Sequence, residues 1–393
     1  MKMREVVIVS AARTPVGSYQ GSLSSLKATE LGAIAIKEAV IRANIKPEDV
    51  SEVIMGCVLP AGIGQAPARQ AAMSAGLPDS VPCLTINKVC GSGLKSVMLA
   101  EQAIKCGDAE IVVAGGFESM SNVPYYLDKA RTGYRMGNGT LIDGMIKDGL
   151  WDVYNDFHMG SAAEMCATEM KITREEQDAF AETSYKRALD AIEKGHFKDE
   201  IVPVEVKGRK ETVIVSEDED PKKVNFEKGK TLRGAFVKDG TVTAFNSSNL
   251  NDGAAAMVLM SADKAKELGL TPLAKIVAQG SFAQKPEWFT TAPAYAIKNV
   301  LEKAGLKVED IDLFEANEAF SVQACAVNKI AELDPEKVNV HGGAVAIGHP
   351  IGGSGARILT TLLHAMKTRD AKRGLATLCI GGGEASAIIV ERF

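Results

Sequence analysis

Four short stretches of this 393-residue chain bring together residue types that could do chemistry. In "INKVCGSGLKS" (86–96), Cys90 stands immediately before Gly-Ser-Gly, and in "GHPIGGSGAR" (348–357), His349 stands just ahead of a second Gly-Ser-Gly. In "ATLCIGGGEAS" (376–386), Cys379 is followed by Gly381, Gly382 and Gly383, and in "FEANEAFS" (314–321), Asn317 lies between Glu315 and Glu318. A glycine-rich approach to a helix start leaves N–H groups free, favours anions and lowers a thiol's pKa, so a lowered pKa is expected for Cys90. A thiol within reach of an imidazole is an activated nucleophile. Free N–H groups after Cys379 are the material of an oxyanion hole. Each stretch also has a plainer reading. Cys90 could be a buried structural thiol and His349 a capping or core histidine. The three glycines could be a tight hairpin turn, and Asn317 a helix N-cap.

Composition narrows the classes. Hydrophobic residues make up 46% and charged residues 24%, with a formal net charge of −5, as in an ordinary soluble globular protein. No basic tract suggests nucleic acid, and no apolar run reaches the ~20 residues of a membrane span. The N-terminus reads as a strand and not as a signal peptide. The seven cysteines (57, 83, 90, 106, 166, 325 and 379) are scattered without a CxxC pair, which argues against a disulfide framework or structural zinc and for a reducing, cytoplasmic setting. His158, His196, His341 and His364 show no metal-ligand spacing, so no metal is expected. "GAVAIGHP" imitates the glycine spacing of a phosphate-binding loop but lacks its Gly-Lys-Ser/Thr ending.

The elements that must carry these residues alternate. "VVIV", "SEVIMGCV" and "AEIVVAGG" read as buried strands, and 27–43 and 93–106 as helices, which predicts an α/β fold with covered sheets. The pattern occurs twice. "AIKEAVIRANIKPEDVSEV" (35–53) matches "AIKNVLEKAGLKVEDIDLF" (296–314) at a spacing of 261 (297 less 36), and the two Gly-Ser-Gly triplets lie 262 apart (353 less 91). "VVAGGFES" and "LCIGGGEAS" set Val113 against Cys379 and Glu118 against Glu384, 266 apart (384 less 118). A duplicated unit related by a pseudo-twofold axis would bring the helix starts beside Cys90 and His349 face to face. The second copy runs straight from its glycines into a closing strand. The first delays that strand to "GAAAMVLMS" at 253, so about 120–248 is an insertion, with an amphipathic helix at 173–194. The predicted domains are 1–265, carrying the insertion, and 270–393.

Together, "INKVCGSGLKS", "NEAF", "GGAVAIGHPIGGSGAR" and "CIGGGEASA" resemble the four signature blocks of the thiolase family, in order and over essentially the whole chain. "GYRMGNG", "FHMG" and "TVTAFNSSNLNDGAAA" resemble its short-chain branch, which transfers acetyl groups between coenzyme A thioesters. The resemblance implies a duplicated five-layered α/β/α/β/α fold with an inserted loop domain. It also implies condensation of two acetyl-CoA to acetoacetyl-CoA and CoA, and the reverse thiolysis. By that resemblance Cys90 carries the acyl group, His349 activates it, and Cys379 handles the α-proton. Asn317 holds a water that completes one oxyanion hole with His349, and the N–H groups of Cys90 and Gly381 form the other. Coenzyme A contacts carry over to Leu150, His158, Met159, Phe236, Ala244 and Ser248, with Ala319 and Phe320 at the acyl end. Lys222 and Lys223 are candidates for its phosphate. Coenzyme A enters as substrate and product, no cofactor is implied, and a homotetramer is expected. Phe245 and Asn249 replace smaller residues beside the expected pantetheine path. Phe245 would either narrow that path or turn away and fill a gap. The rivals are a degradative 3-ketoacyl-CoA thiolase of broader chain length, a ketoacyl synthase and a non-catalytic acyl-CoA-binding relative.

Overall fold

The computed structural model describes residues 4–208 and 211–393. The first repeat contributes β1 (Val6–Arg13), α1 (Ala28–Arg42), β2 (Glu52–Gly56), α2 (Pro67–Ser74), β3 (Cys83–Ile86), α3 (Ser92–Cys106) and β4 (Ile111–Ser119). The segment that follows carries α4 (Met159–Met170) and α5 (Arg174–Glu193) before β5 (Asn251–Ser261) closes the repeat. The second contributes β6 (Ala274–Ala283), α6 (Ala292–Ala304), β7 (Leu313–Ala316), α7 (Ser321–Ile330), α8 (Ile351–Thr368), β8 (Arg373–Ile380) and β9 (Glu384–Glu391).

The strands run in the order β7-β8-β9-β6-β1-β5-β4-β2-β3, with Gly17–Ser18 added on β5. Two halves meet where β1 touches β6 through only Val7–Lys275 and Ile8–Ala274. Within each half the pattern repeats. β2 lies parallel to β4 and β3, β7 lies parallel to β8, and Val338 bridges Phe314 in the place that β3 takes beside β2. All nine residues of β4 are buried, which is why 111–117 reads as an unbroken apolar run. Its alternate residues serve different cores. Val112 joins α3 and α8 between the sheets, with Leu94, Val97, Leu359, Leu362 and Ile388. Val113 and Phe117 meet Leu31 and Ile36 of α1 on one outside face. Ile297 and Val300 of α6 cover Leu375 and Ile389 on the other. The result is the expected α/β/α/β/α stack, in which each fully buried Leu or Ile contributes about 1.5–3 kcal/mol.

The repeat needs one correction. Phe117 pairs with Ala254 where Cys379 pairs with Ala385, so the counterpart of Cys379 is Phe117, not Val113. Glu118 lies in β4, whereas Glu384 opens β9 beyond the turn, so these two glutamates are not equivalent. The matching glycines slipped the alignment by four residues at the point where the first half leaves the sheet. In that half Phe117 fills the position, packed so closely that a Cβ on Gly32 of α1 would collide with its ring.

Candidate active site

Cys90 sits on an elbow between β3 and α3. Val89 adopts a left-handed backbone (φ 46°), a conformation that costs a β-branched residue on the order of 1–3 kcal/mol. Short-range hydrogen bonds hold it there. Asn87 Oδ1 accepts from Val89 N at 2.8 Å, Ser92 Oγ accepts from Lys88 N at 2.8 Å, and the same hydroxyl donates to Val89 O at 2.6 Å. Cys90 is half-buried, with its sulfur facing the N–H groups of Gly381 and of Cys90 itself. The lowered pKa expected from the helix start does not materialise: burial pushes the thiol up to about 12, and the two N–H groups only partly offset it. Desolvation outweighs the helix end, so Cys90 rests as a thiol.

His349 arrives from the other repeat. Its ring Nδ1 lies 2.6 Å from Ser354 Oγ, and that hydroxyl donates its hydrogen to Pro350 O at 2.9 Å. Ser354 therefore accepts, the imidazole hydrogen is on Nδ1, and Nε2 presents a lone pair. Nε2 is buried without a protein partner. Burial, and then the neighbouring Arg357 cation, press the imidazole down to about 3, so it is neutral across the physiological range. The N-cap of α8 is Pro350, which removes the capping reading for His349. Glu118 crosses between the repeats to this helix start, accepting from Gly352 N (2.9 Å) as well as from Val58 N (2.9 Å) and Leu59 N (3.1 Å). Glu118 and Ser354 were both visible in the sequence, but only as landmarks of the repeat.

Cys379 is the penultimate residue of β8, and Gly381–Gly383 form the turn into β9, with φ values of 89° at Gly382 and 84° at Gly383. The turn and the oxyanion-hole readings of these glycines are thus compatible. The Cys379 thiol is buried, and its pKa is raised well above normal by burial and then by the nearness of Cys90. Asn317 donates its backbone N–H to Thr377 O at 3.0 Å. Helix α7 begins only at Ser321 with Phe320 as N-cap, so Asn317 caps nothing. Its side-chain oxygen and nitrogen are both buried and unpartnered, a cost of about 1–3 kcal/mol per group that a bound polar molecule would offset.

Cys90, His349, Cys379 and Gly381 share one cleft of about 330 Å³; Asn317 is not among its lining residues. The eight residues expected to contact coenzyme A (Leu150, His158, Met159, Phe236, Ala244, Ser248, Ala319 and Phe320) all line it. So does Leu250, and so do Met145 and Phe289, apolar residues that carry no motif for sequence reasoning to find. His158 ends the strand before α4, accepts from Gly160 N through Nδ1 at 3.0 Å, and stacks on Phe236 at 4.8 Å. A Cβ on Gly160 would collide with that phenyl ring. With Nδ1 accepting and burial holding the ring neutral, the hydrogen of His158 is on Nε2, available to an amide carbonyl. Lys222 is paired with Glu217 and Lys223 with Glu219, and neither lines the cleft.

Phe245 does not line the channel. It is 5% exposed, stacks face to face on Tyr185 at 5.7 Å and meets Phe226 edge-on at 6.4 Å, so the gap-filling reading replaces the channel-narrowing one. Asn249, by contrast, does reach the cleft wall. Among the described residues no cluster of metal-ligating side chains occurs, and no helix is long and apolar enough to cross a membrane.

Known proteins share this sequence and fold. The chain matches the thiolase N-terminal domain over residues 6–263 and the thiolase C-terminal domain over 270–392. It is 57% identical over 390 residues to the acetyl-CoA acetyltransferase of Schizosaccharomyces pombe, covering 99% of both chains. It is 58% identical over 392 residues to that of Cupriavidus necator, covering 99% of this chain and 100% of the other. The crystal structure of the Bacillus anthracis acetyl-CoA acetyltransferase superposes with a TM-score of 0.97 at 45% identity, covering 100% of this chain and 99% of that one. On this likeness of sequence and fold the chain belongs to the thiolase family.

Proposed function

We infer that the protein is an acyltransferase, an acetyl-CoA C-acetyltransferase, that condenses two acetyl-CoA to acetoacetyl-CoA and CoA and runs the reverse thiolysis. The observation that carries this reading is the meeting of two neutral thiols and an imidazole lone pair in one apolar cleft. In synthesis the Cys90 proton passes to His349 Nε2 as sulfur attacks the first thioester. The developing oxyanion is held by the N–H groups of Cys90 and Gly381. Collapse expels CoA thiolate, which takes the proton of Cys379 and leaves that residue as a thiolate. Cys379 then removes an α-proton from the second acetyl-CoA. The enolate oxygen is held by His349, now carrying the proton on Nε2, and by a water on Asn317. The enolate carbon attacks acetyl-Cys90, the Cys90 thiolate leaves, and His349 returns its proton. Two separate pockets are needed because an enolate and a tetrahedral oxyanion form at different places.

The apolar wall of Met145, Met159, Phe236, Phe289 and Phe320 suits a pantetheine arm, with coenzyme A as substrate and no cofactor. The division into 1–265, with its insertion at about 120–248, and 270–393 assigns the arm-binding residues mostly to the insertion. Exposed Tyr125, Leu127, Met136 and Leu141 in that insertion support burial against further copies of the chain, as a homotetramer. A place in lipid metabolism in the cytoplasm completes the proposal. Rapid quench with radiolabelled acetyl-CoA tests it, since label must appear on Cys90 and pass into acetoacetyl-CoA. Comparing acetoacetyl-CoA with 3-ketohexanoyl-CoA as thiolysis substrates separates this reading from the broader degradative one. Label on Cys379 in place of Cys90 overturns the roles.

A further inference from the structure

The His349 loop is tied to the cleft wall by side chains that touch no reacting atom. Gly348, with φ of 113°, turns its backbone flat against the amide of Asn251; a Cβ there would stand 2.5 Å from Asn251 Oδ1. The next N–H, that of His349, donates to the same Oδ1 at 2.8 Å. Asn251 is the first residue of β5, where the chain returns from the insertion to the sheet, and it is fully buried. Its Nδ2 donates to Gly17 O at 3.0 Å and to Asp220 Oδ2 at 2.7 Å, so the amide has no hydrogen left over. Asp220, also buried, receives Asn249 Nδ2 on that same Oδ2 at 3.1 Å and Ser18 Oγ on its other oxygen. Asn249 in turn lines the cleft and faces the hydroxyl of Tyr185, the ring on which Phe245 stacks.

We propose that Asn251, Asp220 and Asn249 are positioning residues that fix His349 relative to the cleft wall, with Asp220 as the lock. The Asp220 carboxylate is met by donors on both oxygens and accepts from each of them. It therefore dictates that the nitrogen of Asn251 faces it and that the oxygen faces His349 N–H. If the amide turned over, two donors would point at one another and the loop would lose its anchor. Both positions that depart from the pattern this sequence resembles, Phe245 and Asn249, end on the same support. The ring braces Tyr185, Tyr185 faces Asn249, and Asn249 shares the lock. The inference rests on the acetyltransferase reading and deepens it.

The test is the single-turnover rate of Cys90 acetylation by acetyl-CoA, read by mass spectrometry alongside steady-state kinetics and melting. Asn251→Ala and Asp220→Ala are expected to slow acetylation about 10²-fold, the scale of a misplaced catalytic group, with KM for acetyl-CoA within about two-fold. Asp220→Asn retains an oxygen that can accept both amide donors, and it is expected to recover most of that loss. A support with no role in positioning would lower the melting temperature and leave the rate of the folded fraction unchanged, which overturns the proposal. Equal losses in Asp220→Ala and Asp220→Asn, or a loss confined to KM, overturn it as well. Should Asn251→Ala fail to fold, the Asp220 pair alone decides. Absence of acetyl-Cys90 in the unaltered protein overturns the acetyltransferase reading instead.

Discussion

Gly93 of α3 and Gly355 of α8 lie back to back, 262 positions apart in the chain (355 less 93). A Cβ on Gly93 would stand 2.8 Å from the amide nitrogen of Ala356, and one on Gly355 would collide with that of Leu94. The contacts are reciprocal, so the pseudo-twofold axis passes between the two glycines, near the helix starts beside Cys90 and His349. Replacing either glycine by alanine inserts a methyl between backbones that have no side chain to yield. Overpacking of this kind costs about 1–3 kcal/mol. Gly93→Ala and Gly355→Ala should both lower the melting temperature. Because the wedge spreads Cys90 from His349, both should also slow Cys90 acetylation while acetyl-CoA still binds.

The neutral resting pair has a pH signature. His349, pressed down to about 3, has no proton to lose between pH 5 and 8, so kcat/KM should show no histidine limb there. Cys90, pushed up to about 12, should be alkylated by iodoacetamide at a rate that rises through pH 8–10 without levelling. A plateau near pH 7 would mean a thiolate–imidazolium pair at rest, contrary to the burial of both groups.

Cys379→Ala should separate the half-reactions. Cys90 acetylation measured by mass spectrometry is expected to continue. Condensation and deuterium exchange at the acetyl methyl of acetyl-CoA should fall together by several orders of magnitude, about 10³-fold or more. Undiminished methyl exchange would assign the α-proton to His349.

Phe245→Ala should act on stability and not on substrate choice. The ring is enclosed by Tyr185 and Phe226, and truncating a core phenylalanine costs about 3–5 kcal/mol. The ratio of kcat/KM for acetoacetyl-CoA to that for 3-ketohexanoyl-CoA should stay within about three-fold. A larger shift toward the longer substrate would restore the channel role that the packing argues against.

What was legible in the sequence depended on whether a signal was local or periodic. The strands and helices followed from apolar runs and 3.6-residue spacing, and the repeat followed from two landmarks with nearly equal offsets. The third landmark failed because two runs of glycine, one inside a strand and one making a turn, look alike without their partners. The ionisation of Cys90 was misread because a helix start is visible in a sequence, whereas the desolvation that outweighs it depends on residues from both repeats. Phe245 could not be placed from its neighbours, since the ring that stacks on it, Tyr185, is supplied by a helix 60 positions earlier (245 less 185). Asn251 lies within "TVTAFNSSNLNDGAAA" and Asp220 within no motif, and both gain meaning only from where β5 re-enters the sheet.

The unequal connections within the two repeats also set an order of folding. β8 and β9 are joined by three glycines and can zip together as soon as both leave the ribosome. β4 ends at Ser119 and waits for β5, which begins at Asn251. β1 waits longer still, since its partners on either side are β5 and β6. Loop-closure entropy and sequence separation slow such pairings. The half of the sheet that is synthesised first is therefore completed late. Until β5 arrives, the β4 edge stays unpaired and open to pairing with other chains.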